Sequence, residues 1–274
     1  MQPRVLALSL LALIGLFTAQ VTAQQEKAPL KVAMLIPIEP WDRKAGLEAW
    51  RKWLEDHYRV EIIWIEPAVP QPNKDTPKDQ AKAYYANPPA IPGLDKASHA
   101  DVVFTALTHV SLNEKDSVEL LKLLTTKPVV GGRRSHHAMS LKLPKNVKIP
   151  GIENVGGYGG VIFGGAYAGH HGGPLNFKEG QADHPIVKGL PELVKMPLYD
   201  RGYRHKIVSD DVTVLIESLG EPQTWARVNK TTKQRVVYTI HDPRDIETHE
   251  CVRVMLTRAL FWASERNEAD YKKK

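Results

Sequence analysis

The chain alternates short, continuous apolar runs with stretches of helical spacing. The runs are "KVAMLIPI" (31–38), "VEIIWIEP" (60–67), "ADVVFTALT" (100–108) and "KPVVGG" (127–132). Apolar runs of this length are strands covered on both faces, as in parallel sheets. After the first, "DRKAGLEAWRKWLEDHY" predicts a helix with Ala45, Ala49, Trp53 and Leu54 on one face. Before the fourth, Ser111 or Asn113 caps a predicted helix running to about Thr125. Strand–helix–strand, repeated, predicts an α/β domain with an open, doubly wound, mostly parallel sheet.

Two segments interrupt the pattern. From Pro67 to Pro92 lie seven of the twenty prolines, which predicts a long surface loop or lid over 67–93. Residues 151–180 hold eleven of the nineteen glycines, so no helix is expected there. Shorter strands follow in "HKIVSD", "VTVLIES", "TWARV" and "QRVVYTI", then a final helix from about Glu247 to Ser264. No internal repeat appears, and one domain over 24–274 is the simplest account.

The two ends carry different signals. Arg4, the apolar run from Val5 to Phe17 and the small-residue site Val21-Thr22-Ala23 read as a cleaved signal peptide over 1–23, an uncleaved anchor being the alternative. This places the mature chain in the periplasm or outside the cell, with no stable membrane anchor. The Lys- and Glu-rich stretch 265–274 reads as a charged, solvated tail. The formal charge of +6 comes without a basic stripe interleaved with aromatics, so nucleic acid is not expected as a partner. Cys251, the single cysteine, excludes an intrachain disulfide and reads as an inert thiol inside the final helix.

Candidate chemistry gathers where strands end. No phosphate-binding G-x-x-x-x-G-K-[ST] or G-x-G-x-x-G occurs in the glycine-rich stretch, and Asn229-Lys230-Thr231 is a weak glycosylation match. Eight of the eleven histidines lie between 136 and 249, several just after apolar runs. Ligands of an open parallel sheet bind beyond the carboxyl ends of its strands. That edge would bring together Trp41 and Asp42 after the first strand, Arg133 and His137 after the fourth, and His241 after "RVVYTI". Asp245 shares a face with His241 if a helical turn begins at "HDPRD". Of His170 and His171, adjacent on an extended chain, only one should face the cleft. His184, before Pro185, reads either as a binding residue or as the fixture of a turn. No cofactor is predicted. A metal held by His137, His170 and His241 would be zinc, since thiolates are lacking and imidazole suits it.

Taken in order, "ADVVF", "KPVVGGRRSHHAM", "GGAYAGHHGG", "HPIVKGLP", "LYDRG" and "VVYTIHDPRDIETHECVRVMLTRALFWA" resemble the ThuA-like, or trehalose-utilisation, family over about residues 30–264. The resemblance implies a flavodoxin-like fold similar to class I glutamine amidotransferases, and a sugar-linked role. Family patterns carry "GIRT" or "GLRT", a small residue and "SHAF" at the turn after the fourth strand. Arg133 and His137 match; Gly132, Arg134, His136 and Met139 depart. Tyr167, the His170 region, His184 and His241 fall on further recurring positions. The amidotransferase cysteine is absent from its strand-end turn, so glutamine hydrolysis by that route is not expected.

The expected function is that of an exported hydrolase or lyase acting on a glycoside, oxidised or otherwise modified. Arg133 would hold an oxyanion or sugar carbonyl, His137 or His241 would act as acid or base, and Trp41 or Tyr167 would pack the sugar's apolar face. The alternatives are a non-catalytic carbohydrate-binding protein on an enzyme-like fold and a partner-binding domain.

Overall fold

The computed structural model describes residues 27–36, 43–67, 72, 75–88, 90–107, 112–133, 135, 157–198 and 202–273. In chain order its elements are β1 (Leu30–Leu35), α1 (Arg43–His57), β2 (Val60–Ile65), α2 (Lys78–Ala86), β3 (Val102–Thr105), α3 (Glu114–Thr126) and β4 (Val129–Gly131). Then come α4 (Gly157–Phe163), β5 (Gly165–His171), β6 (Asn176–Phe177), β7 (Gly202–Ile207), β8 (Val212–Ser218), β9 (Glu221–Val228), β10 (Arg235–Thr239), α5 (Pro243–Thr248) and α6 (Glu250–Ala263).

The main sheet runs β2-β1-β3-β4-β10-β9-β8-β6. Its first five strands are parallel, and β9, β8 and β6 extend it by antiparallel pairing. The fold class is therefore α/β with a large, mostly parallel sheet. Each parallel strand divides its side chains between two cores. Val32, Met34, Val102, Phe104, Val130 and Val237 face one core, whereas Ala33, Leu35, Val103, Val129, Val236 and Tyr238 face the other. This two-sided burial is why the strands are continuous apolar runs in the sequence. Helices α1 and α6 cover the first face; α3 and the turn of 3₁₀ helix Leu94–His99 cover the second. Across the first face, the Trp50 indole N–H donates to Thr257 Oγ1 at 3.2 Å and the ring meets Phe104 edge-on.

Several sequence expectations are corrected. The buried face of α1 is Leu47, Trp50 and Leu54, while Ala45 and Ala49 are exposed. The large side chains at i, i+3 and i+7 set the phase, because they remove far more apolar area from water than alanine does. The glycine-rich stretch does contain a helix, α4, whose Ile162 and Phe163 are fully buried. Core contacts override the propensity there, and Gly164, at φ +73°, ends the helix in a left-handed conformation. The proline-rich segment holds α2, with Pro77 at its N-cap and no buried residue.

The C-terminal stretch is not a solvated tail. Tyr271 is buried, and its carbonyl accepts from Arg59 N at 2.7 Å. The single final helix is two, α5 and α6, divided at His249, which is extended at φ −123°, ψ 115°. Asn113 caps α3, its side chain accepting from Asp116 N; Ser111 lies outside the described residues. Asn229 uses its side chain to accept from Thr231 N and Thr232 N in the β9–β10 hairpin.

Candidate functional site

Strands β4 and β10 lie side by side and parallel, so the residues after them meet at one edge. Gly132 N–H donates to Thr105 O at 3.0 Å and Arg133 N–H to His241 O at 3.3 Å, which ties the ends of β3, β4 and β10 together. Arg133 is only 1% exposed. Its Nε donates to the Tyr203 hydroxyl at 3.2 Å, and the guanidinium carbon lies 4.5 Å from the Tyr203 ring centroid. A delocalised, weakly hydrated cation suits such a position better than an ammonium would.

His241 is fully buried on the other side of this junction. Its Nδ1 is 3.8 Å from Asp245 Oδ2, too far for a hydrogen bond. Among the described residues neither ring nitrogen has a hydrogen-bond partner. Asp245 has a structural task as well. "DPRD" forms a capping box: the Asp245 side chain accepts from Asp242 N at 2.7 Å, Asp242 caps α5, and Pro243 takes the first helical position. The helical turn expected at this point therefore exists, and it sets His241 and Asp245 on one side.

Behind Arg133 stands a second sheet of β5 and β7, paired antiparallel. The pleat of β7 turns Tyr203 and His205 inward and Arg204 and Lys206 outward. Tyr167 Oη and His170 Nδ1 are 2.7 Å apart, and both rings meet Tyr203 edge-on. His170 and His171 diverge as expected: His170 is exposed, whereas His171 turns to the side chain of Gln223. Inward from Tyr203, His205 packs among Tyr203, Trp225 and Tyr238.

Burial pushes the His205 imidazole down to about pKa 4; the Pro222 carbonyl opposes that shift and the nearby His171 and Arg133 add to it. Between pH 4 and 6.5 the unfolded chain would bind a proton at His205 that the folded chain does not. Stability should thus be constant from this source above 6.5 and fall by about 3 kcal/mol as the pH drops to 4. Urea midpoints at pH 7.5 and 4.5 for wild type and His205→Gln test this. The variant should lose less stability on acidification, and equal losses in both would contradict it.

The sequence candidates are thus distributed as follows. Arg133 and His241 are joined at the carboxyl edge through their backbones and Asp245 lies 3.8 Å from His241, while Tyr167 and His170 gather around Tyr203 and His171 meets Gln223. His184 lies apart. Its Nδ1 accepts from Ile186 N at 3.3 Å and its ring meets Trp262, whose carbonyl accepts from Arg235 at the amino-terminal start of β10. It fixes a turn at the opposite edge of the sheet. Trp41, Asp42 and His137 lie outside the described residues, and so does one member of the zinc set His137, His170 and His241. Among the described residues no three His, Cys, Asp or Glu side chains are grouped to hold a metal.

Tyr203, His205 and Gln223 were missed. Starting the strand at "GYRHKI", three residues before "HKIVSD", gives a period-2 alternation that turns the first two inward. Gln223 gives no local signal. Cys251 is half-buried with its sulfur 3.9 Å from that of Met196, and burial raises its thiol pKa. Cys251→Ala should cost about 1 kcal/mol in a denaturant titration and leave ligand binding unchanged. Loss of binding in the folded variant would contradict this.

Neither a protein-family model nor a curated protein matches this sequence. Among solved structures, the chain is similar to a protein of Parabacteroides merdae described only as thua-like, at 15% identity, with a TM-score of 0.50 over 86% of this chain and 90% of that one. A second, of Bacteroides uniformis and described in the same words, has 14% identity and a TM-score of 0.52 over 89% and 95%. At such identities the likeness is one of fold. The ThuA-like resemblance read from the sequence motifs thus has a counterpart in the fold of most of the chain.

Proposed function

We propose that this protein is an exported, carbohydrate-directed protein of ThuA-like fold, acting as a hydrolase or lyase on a glycoside at the carboxyl edge of its sheet. The observation that carries the reading is the junction of β4 and β10. A buried arginine stacked on Tyr203 stands there beside a buried imidazole with no hydrogen-bond partner among the described residues. The parallel strand order 2-1-3-4 followed by a fifth parallel strand is that of flavodoxin-like sheets, which bind ligands at this edge. The apolar N-terminal stretch supports export, and the motif resemblance supports a sugar as ligand.

In this reading Arg133 offers fixed donors to an oxyanion or sugar carbonyl in a water-poor site, where they act more strongly than in water. His241 moves the proton, and Asp245 is one small side-chain movement from a hydrogen bond to Nδ1 that would orient the ring. Tyr167, exposed and backed by the Tyr203 ring, offers its ring to the sugar's C–H surface.

A second reading, binding without turnover, is favoured by one observation. Both carboxylates beside His241 hold the N-terminus of α5, which is a structural task. Incubating the mature protein with a panel of disaccharides and their keto derivatives, with product detection and metal analysis of untagged protein, separates the readings. Product formation that is lost in His241→Ala supports catalysis. Binding without product supports the second reading, and neither binding nor product contradicts both.

A further inference from the structure

The side chain of Gln223 is fully buried and bridges the two sheets. Tyr203 N–H donates to its Oε1 at 3.2 Å, which fixes the orientation of the amide. The NH₂ group must then face the other contacts: Tyr203 O at 2.7 Å, Glu221 O at 3.1 Å and His171 Nε2 at 3.0 Å, one proton being shared. An amide nitrogen cannot accept, so His171 Nε2 must. With Nε2 accepting, Nδ1 is left as the ring's donor. That atom is buried and has no partner among the described residues. The contact is built closely. A Cβ on Gly202 would lie 3.2 Å from both Gln223 Oε1 and His171 Nε2, so a methyl there would press on both.

We propose that Gln223 is a positioning residue that presets His171 as an Nδ1–H donor, and that this donor receives an acceptor oxygen of the bound ligand. The ligand class it selects presents a hydroxyl, carbonyl or carboxylate oxygen at that point, and not a group that can only donate. A buried donor left unmatched costs free energy, so a ligand that supplies the oxygen gains by matching it. The same glutamine holds Tyr203 by both its N–H and its carbonyl, and Tyr203 carries Arg133. One side chain thereby aligns the imidazole donor with the guanidinium fork. This rests on the proposed function only in taking the carboxyl edge as the binding site.

Imidazole ¹⁵N NMR of the full mature chain tests it. In the ligand-free wild type the His171 Nδ1 resonance should be of the protonated type and Nε2 of the unprotonated type; the reverse overturns the proposal. In Gln223→Glu, which can only accept, the proton should move to Nε2 or both nitrogens should carry one; an unchanged pattern overturns it. Should that variant not fold, the wild-type pattern and Gly202→Ala carry the test, the latter being expected to perturb His171 Nε2. Added trehalose at saturating concentration should shift Nδ1. Trehalose that binds elsewhere in the spectrum without touching His171 overturns the ligand-facing role. The expected tautomer with no disaccharide binding at all overturns the proposed function and leaves the Gln223 assignment standing.

Discussion

Gly46→Ala is expected to destabilise the protein by about 3 kcal/mol or more, far beyond the usual cost of a surface substitution. A Cβ at this position would lie 1.8 Å from the carbonyl oxygen of Pro243 and 2.7 Å from its carbonyl carbon. Both are backbone atoms, so no side-chain rotation relieves the clash. Helix α1 must move off α5, and α5 begins at the Asp242–Asp245 capping box directly after His241. The effect should reach the candidate site as well as the stability. Gly172→Ala is the control, since a Cβ there meets nothing within 4 Å. Denaturant midpoints of the two variants should differ by the full amount. Equal midpoints would show that α1 and α5 do not approach as described.

The close packing of α1 on α5 is the kind of feature the sequence conceals. The parallel strands were legible because burial on both faces leaves no room for polar positions, and all four early runs end within about three residues of the observed strands. The face of α1 was misread because alanines satisfied the period while Leu47 and Trp50, the larger residues, obeyed it one step out of phase. Helix α4 was hidden by its glycines, whose cost is offset by the burial of Ile162 and Phe163. Arg133 and His241 were legible because a parallel sheet sends every strand end to one edge. Tyr203 and Gln223 were not, since they reach that edge from the second sheet and the antiparallel extension, where local pattern says nothing of which strands will neighbour. His184, legible either as a binding residue or as the fixture of a turn, fixes a turn at the far edge.

Arg133→Lys is expected to weaken ligand binding by about 100-fold, equivalent to about 3 kcal/mol, while leaving the fold intact. Lysine keeps the charge and much of the stem, so packing and net electrostatics change little. What it lacks is the planar fork that both donates to the Tyr203 hydroxyl and lies 4.5 Å from the Tyr203 ring centroid. An ammonium is also more strongly hydrated and poorly suited to a position 1% exposed. Some stability should be lost for the same reason, so affinity is compared where both proteins are folded. A large loss of stability with little change in affinity would assign Arg133 to the core rather than to the site.

In the proposed function a carbohydrate is held at the carboxyl edge by the Arg133–Tyr203 pair. Calorimetric titration of wild type and Arg133→Lys with the same disaccharide panel tests it most directly. At least one sugar should bind the wild type, and its affinity should fall by about 100-fold in the variant. Equal affinity in the two folded proteins, or no sugar bound by the wild type, would contradict it.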